Sequence, residues 1–94
     1  MLFALICTDR PNSLELRTKV RPQHLAYLNS IKTKAAGPFV DDAGHATGSL
    51  VVIEAADMAG ARALAADDPY AKAGLFASVD IRPWKWLVNN PEAQ

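Results

Sequence analysis

His24 is the residue in this 94-residue chain best suited to chemistry. A neutral imidazole takes up or releases a proton near neutral pH, so it can serve as a general base or acid. Such a ring needs a partner to orient it and to stabilise its cationic form. Asp68, in the stretch Ala66-Asp67-Asp68-Pro69-Tyr70-Ala71, is the carboxylate placed to do so. A proline biases the residue before it away from helical torsions, so Asp68 should leave an alanine-rich helix at a fixed angle. A His–carboxylate pair of this kind contributes about 10²- to 10⁴-fold to a proton transfer. Each residue also has a plainer role. A lone histidine is commonly a partly buried residue bonded to backbone, and an Asp before Pro often only ends a helix and accepts from a nearby amide. For Asp68 the two roles are compatible.

Three further residues are candidates for contact with a substrate. Ser49 opens an apolar run directly after Gly48, where a missing side chain lets a ligand or a helix approach closely. No Gly-x-Ser-x-Gly turn surrounds it, so a covalent serine mechanism is not expected. Tyr70 is placed to line a His24 pocket with its hydroxyl, although tyrosines like it and Phe76 are more often packing residues. Arg17, Lys19 and Arg21 form a basic cluster whose ordinary reading is a solvated face; Arg21 is the candidate for an anionic substrate group. Asp41, Asp42 and His45 share a turn, but without a second histidine or a cysteine they fall short of a metal site. There is no phosphate-binding glycine loop and no dinucleotide fingerprint, so neither metal nor cofactor is expected.

Composition sets the frame for these residues. Ten basic and ten acidic side chains balance, and neither sign gathers beyond the three-residue Arg17–Arg21 cluster, so nucleic acid and acidic membrane surfaces are not expected partners. The chain length suits one domain burying roughly 65% of its extended surface, with a stability of about 5–14 kcal/mol. The single Cys7 has no internal partner and sits in an apolar run, which fits an inert thiol in a reducing compartment. Met1 to Cys7 is too short to span a bilayer and lacks a basic leader and a cleavage site, so a soluble cytoplasmic protein is expected.

The elements that must position the site follow from periodicity. Leu2 to Cys7 reads as a buried central strand. From Ser13 the pattern is helical, with Leu25, Leu28, Ile31 and Ala35 recurring at three- and four-residue steps. Pro22 calls for a kink or a fresh start, predicting a short turn from Ser13 to about Lys19 and a main helix from Pro22 to Ala35, stopped by Ala36-Gly37-Pro38. His24 then lies in the first turn of that helix, beside its inward stripe. Gly37 to Val40 begins an edge strand, Asp41 to His45 a hairpin turn, and Ser49 to Ala55 a strand covered on both faces. Asp57 caps a second helix whose inward face carries Met58, Ala61, Leu64 and Ala65. Ala71 to Phe76 forms a short helical turn, and Ser78 to Val88 a strand made irregular by Pro83. Residues 1–88 form the domain, and Asn89 to Gln94 a mobile tail.

Strand, helix, strand, strand, helix, strand with right-handed crossovers is the ferredoxin-like α+β sandwich, both helices covering one face of a four-stranded antiparallel sheet. The other face, carrying residues such as Phe3, Leu5, Val52 and Trp84, would be a large apolar patch on a monomer. A second copy is expected to pack against it.

Arg21-Pro22-Gln23-His24-Leu25, Ala36-Gly37-Pro38-Phe39, Thr47-Gly48-Ser49, Asp67 through Phe76 and Ile81-Arg82-Pro83-Trp84-Lys85 occur in this order from Met1 to about Trp86. Together they resemble the YCII-related (YciI-like) family. The resemblance implies a dimeric α+β barrel of ferredoxin-like halves and an active site around His24 and Asp68. Where an activity is known in the family it is lyase-like, with dehydrochlorination of a chlorinated hydroxyaromatic as the example. The stretch between Gly37-Pro38 and Gly48 is shorter here than in longer relatives, so the pocket rim is expected to differ.

Two functions of different class follow. One is a small cofactor-independent enzyme, lyase- or isomerase-like, in which His24 moves a proton at a small organic acid or hydroxyaromatic and Asp68 holds it in register. The other is a non-catalytic ligand-binding or assembly module in which the pair only pins the helix break. The first requires the pair to meet beside an open cavity; the second requires none.

Overall fold

Strand β1 (Leu2–Asp9) opens the computed structural model, which describes residues 1–92. It is followed by α1 (Leu14–Ser30), β2 (Thr33–Val40), β3 (Ala46–Glu54), α2 (Met58–Ala66), α3 (Pro69–Lys72) and β4 (Phe76–Trp84). The strands form one antiparallel sheet in the order β2-β3-β1-β4, the ferredoxin-like α+β arrangement. Alternation along β1 buries Phe3, Leu5 and Cys7 on one face, opposite Ile53, Val51 and Ser49 of β3. Leu28 of α1 and Ala61 and Ala65 of α2 close over that face to make the core. Asp57 caps α2 as expected, its carboxylate accepting from the Gly60 amide at 2.8 Å.

Phe3 and Leu5 therefore face the helices and not the open side. The open face carries Leu2, Ala4 and Ile6 of β1, paired in register with Trp84, Val52 and Leu50. A continuous apolar run does not reveal which of its two residue sets meets the helices; the register does. Leu50 and Trp84 remain 38% and 40% exposed, so this face still presents large apolar side chains to solvent.

The short helix and the last strand both begin two residues and end four residues earlier than read in the sequence, at α3 and β4, and three prolines behave otherwise than expected, each for a tertiary reason. Pro22 neither starts nor splits a helix but lies inside α1. It removes one backbone hydrogen bond. The helix nevertheless continues because its buried residues, Arg17, His24 and Leu28, lie on both sides of the proline and, at spacings of seven and four, on one face. Ala36-Gly37-Pro38 does not stop that helix, which ends at Ser30, and belongs to β2. Pro38 is tolerated there because β2 is an edge strand with β3 as its one neighbour. The same holds for Pro83 in β4, which stays in register with Phe3, while the irregularity in that ladder falls at Thr8 and Asp9.

Gly48 accommodates a neighbouring strand. A Cβ there would collide with the carbonyl oxygen of Cys7 in β1, so the close approach is strand to strand and not ligand or helix to strand. Beyond β4 the chain folds back, with Trp86 Nε1 donating to the Val88 carbonyl at 2.8 Å and Lys34 Nζ meeting Glu92 at 2.8 Å. Of the tail expected from Asn89 to Gln94, Ala93 and Gln94 lie outside the described residues. No helix among the described residues is long and apolar enough to cross a membrane.

Candidate active site

Between α2 and α3 the chain passes through Asp68, whose φ of −60° and ψ of 129° are the extended torsions that Pro69 imposes. Its carboxylate turns back into the protein. Oδ1 accepts from the Tyr70 amide at 2.9 Å, capping α3, and the same carboxylate lies 2.8 Å and 2.9 Å, through Oδ1 and Oδ2, from Nδ1 of His24 on α1. Cap and partner are one group. Both side chains are buried, His24 and Asp68 each 6% exposed.

This contact fixes the state of the imidazole. An ionised carboxylate only accepts, so Nδ1 carries the proton and donates it, leaving Nε2 with a free lone pair in the neutral ring. Nε2 has no protein partner among the described residues, yet no sealed side-chain nitrogen or oxygen there is left unpaired. Nε2 is therefore open, and the opening is the cavity that His24 lines. Its volume is about 290 Å³, and its walls combine Leu25, Leu28, Pro38 and Val51 with Arg17, Arg21, Ser49 and Tyr70. That is the small end of the roughly 300–1,000 Å³ range of ligand pockets, suited to a single-ring compound.

Tyr70 follows Asp68 by two residues and packs its ring flat on His24, with centroids 3.9 Å apart and planes 17° from parallel. Burial raises its hydroxyl pKa, so the group stays a neutral donor at physiological pH. Although Tyr70 is 1% exposed, it lines the cavity. Arg21 is exposed at the rim, and Ser49 is buried at the floor. The cavity thus brings together four of the five residues singled out in the sequence, His24, Ser49, Tyr70 and Arg21, while Asp68 stands behind it and bears on it through His24. His45 is apart from them, in the exposed hairpin turn, with Asp41 Oδ1 holding its amide at 2.9 Å.

The sequence reading missed Arg17 and Asp9. Arg17 is not part of a solvated face: it is 6% exposed and forks onto Asp9, with Nε 2.7 Å from Oδ2 and Nη2 3.0 Å from Oδ1. Nη2 also donates to Ser49 Oγ at 2.8 Å, and the guanidinium lies 4.7 Å from the centroid of the Tyr70 ring. Burial works to lower the Arg17 pKa, but the hydrogen bond and charge of Asp9 outweigh it, and the group stays cationic. The available signal was the seven-residue spacing to His24, two turns along one helix face, which the expected break at Pro22 concealed. Cys7 lies beneath, its thiol pushed up to about 12 by burial first and by the charge of Asp68 next, so it stays protonated.

Comparison with known proteins agrees with this architecture. The YCII-related domain matches residues 1–85. Protein YciI of Escherichia coli is 40% identical, the match covering 90% of this chain and 97% of the relative, and a Haemophilus influenzae protein is 37% identical with the same coverage. The structure of 5-chloro-2-hydroxyhydroquinone dehydrochlorinase from Burkholderia phenoliruptrix AC1100, in complex with 2,5-dihydroxybenzoquinone, superposes with a TM-score of 0.83 at 36% identity, covering 90% of this chain and 94% of that one. A NIPSNAP family protein from Agrobacterium tumefaciens, at 19% identity and a TM-score of 0.59, shares the fold alone. With a family model matched across residues 1–85 and relatives aligned over almost their full length, the chain belongs to the YCII-related family.

Proposed function

We propose that this protein is a small cofactor-independent enzyme of lyase or isomerase type, acting on a hydroxyaromatic or small organic acid, with His24 as the proton-transfer group and Asp68 as the residue that holds it. One observation carries the reading: Nε2 of His24 has no partner among the described residues and opens into a cavity, while Nδ1 is pinned at 2.8 Å to a buried carboxylate. Ring nitrogens arranged this way suit a general base that becomes a carboxylate-paired acid after taking a proton. A pair serving only to pin the helix break requires no opening at His24, so the cavity argues against the non-catalytic module. Ser49, Tyr70 and Arg21 are substrate contacts in this reading. The 36%-identical dehydrochlorinase, solved with a dihydroxybenzoquinone, supports a hydroxylated ring as substrate class.

The apolar open face supports a homodimer, sheet against sheet, and possession of a buried reduced thiol fits the cytoplasm. A panel of hydroxylated and chlorinated hydroquinones and small organic acids, screened by thermal shift and then by ultraviolet absorbance for turnover, tests the function. His24→Gln is expected to lower turnover by about 10²-fold or more with the fold intact. Undiminished turnover in that variant would refute the assignment.

A further inference from the structure

Arg17 presents an unusual balance of bonds. Asp9 takes Nε and Nη2, and Ser49 takes Nη2 again, which leaves Nη1 with no partner among the described residues in a side chain that is 8% exposed. Since no sealed polar side-chain atom there is orphaned, Nη1 reaches open space, and Arg17 lines the same cavity as His24. Ser49 is in the same position: its oxygen accepts from Arg17, its own O–H has no acceptor among the described residues, and it lines the cavity floor. Two residues with donor N–H or O–H groups left over among the described residues, one of them cationic, therefore line the cavity that His24 lines. Arg17 and His24 both lie against the Tyr70 ring, 4.7 Å and 3.9 Å from its centroid, and both line the one cavity.

We propose that Arg17 Nη1 and the Ser49 hydroxyl form an oxyanion-binding pair, making Arg17 a further catalytic residue. The inference rests on the reading of His24 as the proton-transfer group. In the step it describes, a hydroxyl proton of the substrate passes to Nε2, giving an imidazolium paired with Asp68. The bonding electrons stay on the substrate as an oxyanion; in a hydroxyquinone they are shared through the ring with the conjugated carbonyl oxygen, and it is this oxyanion system that lies against Arg17 and Ser49. No bond to carbon breaks in this step, and no oxidant or reductant takes part. Arg21 at the exposed rim is a weaker alternative: its charge is solvent-screened and its chain unrestrained, whereas Arg17 is already locked by Asp9 and needs no reorganisation when charge develops.

The test uses the full chain, with 2,5-dihydroxybenzoquinone as an anionic probe followed by its visible absorbance and turnover measured on the best substrate from the screen. Ser49→Ala and Arg17→Lys, the latter keeping a cation for Asp9, are expected to weaken probe binding about 10-fold or more and to lower kcat by about 10²- to 10³-fold. His24→Gln is expected to retain probe binding while losing turnover. If Arg17→Lys fails to fold, the smaller change Ser49→Ala carries the test. Wild-type probe affinity and kcat in the folded Arg17 and Ser49 variants, or no binding of the probe by the native protein, would overturn the inference. If the probe binds through Arg17 and Ser49 but His24→Gln turns over normally, the anion site stands and the proton-transfer assignment falls.

Discussion

Replacing Asp68 with asparagine keeps the shape of the helix break and alters the proton on His24. The side-chain oxygen can still accept from the Tyr70 amide, now 2.9 Å from Oδ1, and asparagine caps helices about as well as aspartate. The new amide nitrogen, however, takes the place of Oδ2, 2.9 Å from Nδ1, so that Nδ1–H keeps an acceptor in Oδ1 at 2.8 Å but meets a donor beside it. Moving the imidazole proton to Nε2 relieves that clash. A charge-assisted hydrogen bond worth about 1.5–3 kcal/mol is what biases the native ring toward the Nδ1–H form, so its loss changes the tautomer ratio by roughly 10- to 150-fold. Nε2 then lacks the lone pair a base requires, and turnover is expected to fall by about 10²- to 10⁴-fold with little change in melting temperature. Asp68→Ala behaves differently. It removes a cap worth about 1 kcal/mol and strands a buried N–H at about 1–3 kcal/mol, a loss of about 2–4 kcal/mol within the 5–14 kcal/mol expected of a chain this size. Nitrogen-15 NMR of the ring, recorded across a pH series, reads the tautomer of the neutral form directly and needs no substrate. A native ring protonated at Nε2, or an unchanged tautomer in Asp68→Asn, would refute the assignment of His24 as a carboxylate-held base.

Two further outcomes follow from the burial of particular groups. Cys7 is raised from 9.0 to about 12, so between those values the folded chain holds a proton that the unfolded chain has released. The associated stability is complete below about pH 9 and declines toward pH 12 at about 1.4 kcal/mol per unit. Urea unfolding of the native protein should therefore lose about 2 kcal/mol more between roughly pH 8 and pH 10.5 than Cys7→Ala does; equal losses would contradict the burial argument. At the open sheet face, Leu50→Glu places a charge where a second copy is proposed to pack, and sedimentation velocity at micromolar concentration should show a shift toward monomer. A native protein that already sediments as a monomer would remove the basis for the dimer.

The legible and illegible parts of the site divide according to the range of the interactions that set them. Asp68 could be placed from sequence because Pro69 acts on its immediate neighbour, and the observed torsions are the ones that local effect dictates. The apolar runs likewise gave the element order, since burial of a strand or a helix face is written along its own residues. Rules of the same local kind failed where a packed sheet overrode them. Pro22 has the signature of a helix start, yet three side chains buried on one face carry α1 through it; Gly37-Pro38 has that of a helix stop, yet an edge strand has a free side on which a missing N–H costs nothing. Gly48 is required by the Cys7 carbonyl, a contact between residues 41 positions apart that no local pattern records. The failure at Pro22 had a chemical consequence as well as a structural one. With the helix divided, Arg17 stood on a separate turn and read as a solvated cation; with α1 continuous, it falls two turns from His24 on the same face and reaches the floor of the same cavity. The proposed proton-transfer pair was readable because a proline sits beside Asp68, whereas Arg17, the proposed partner of Ser49, was hidden because another proline sits between Arg17 and His24.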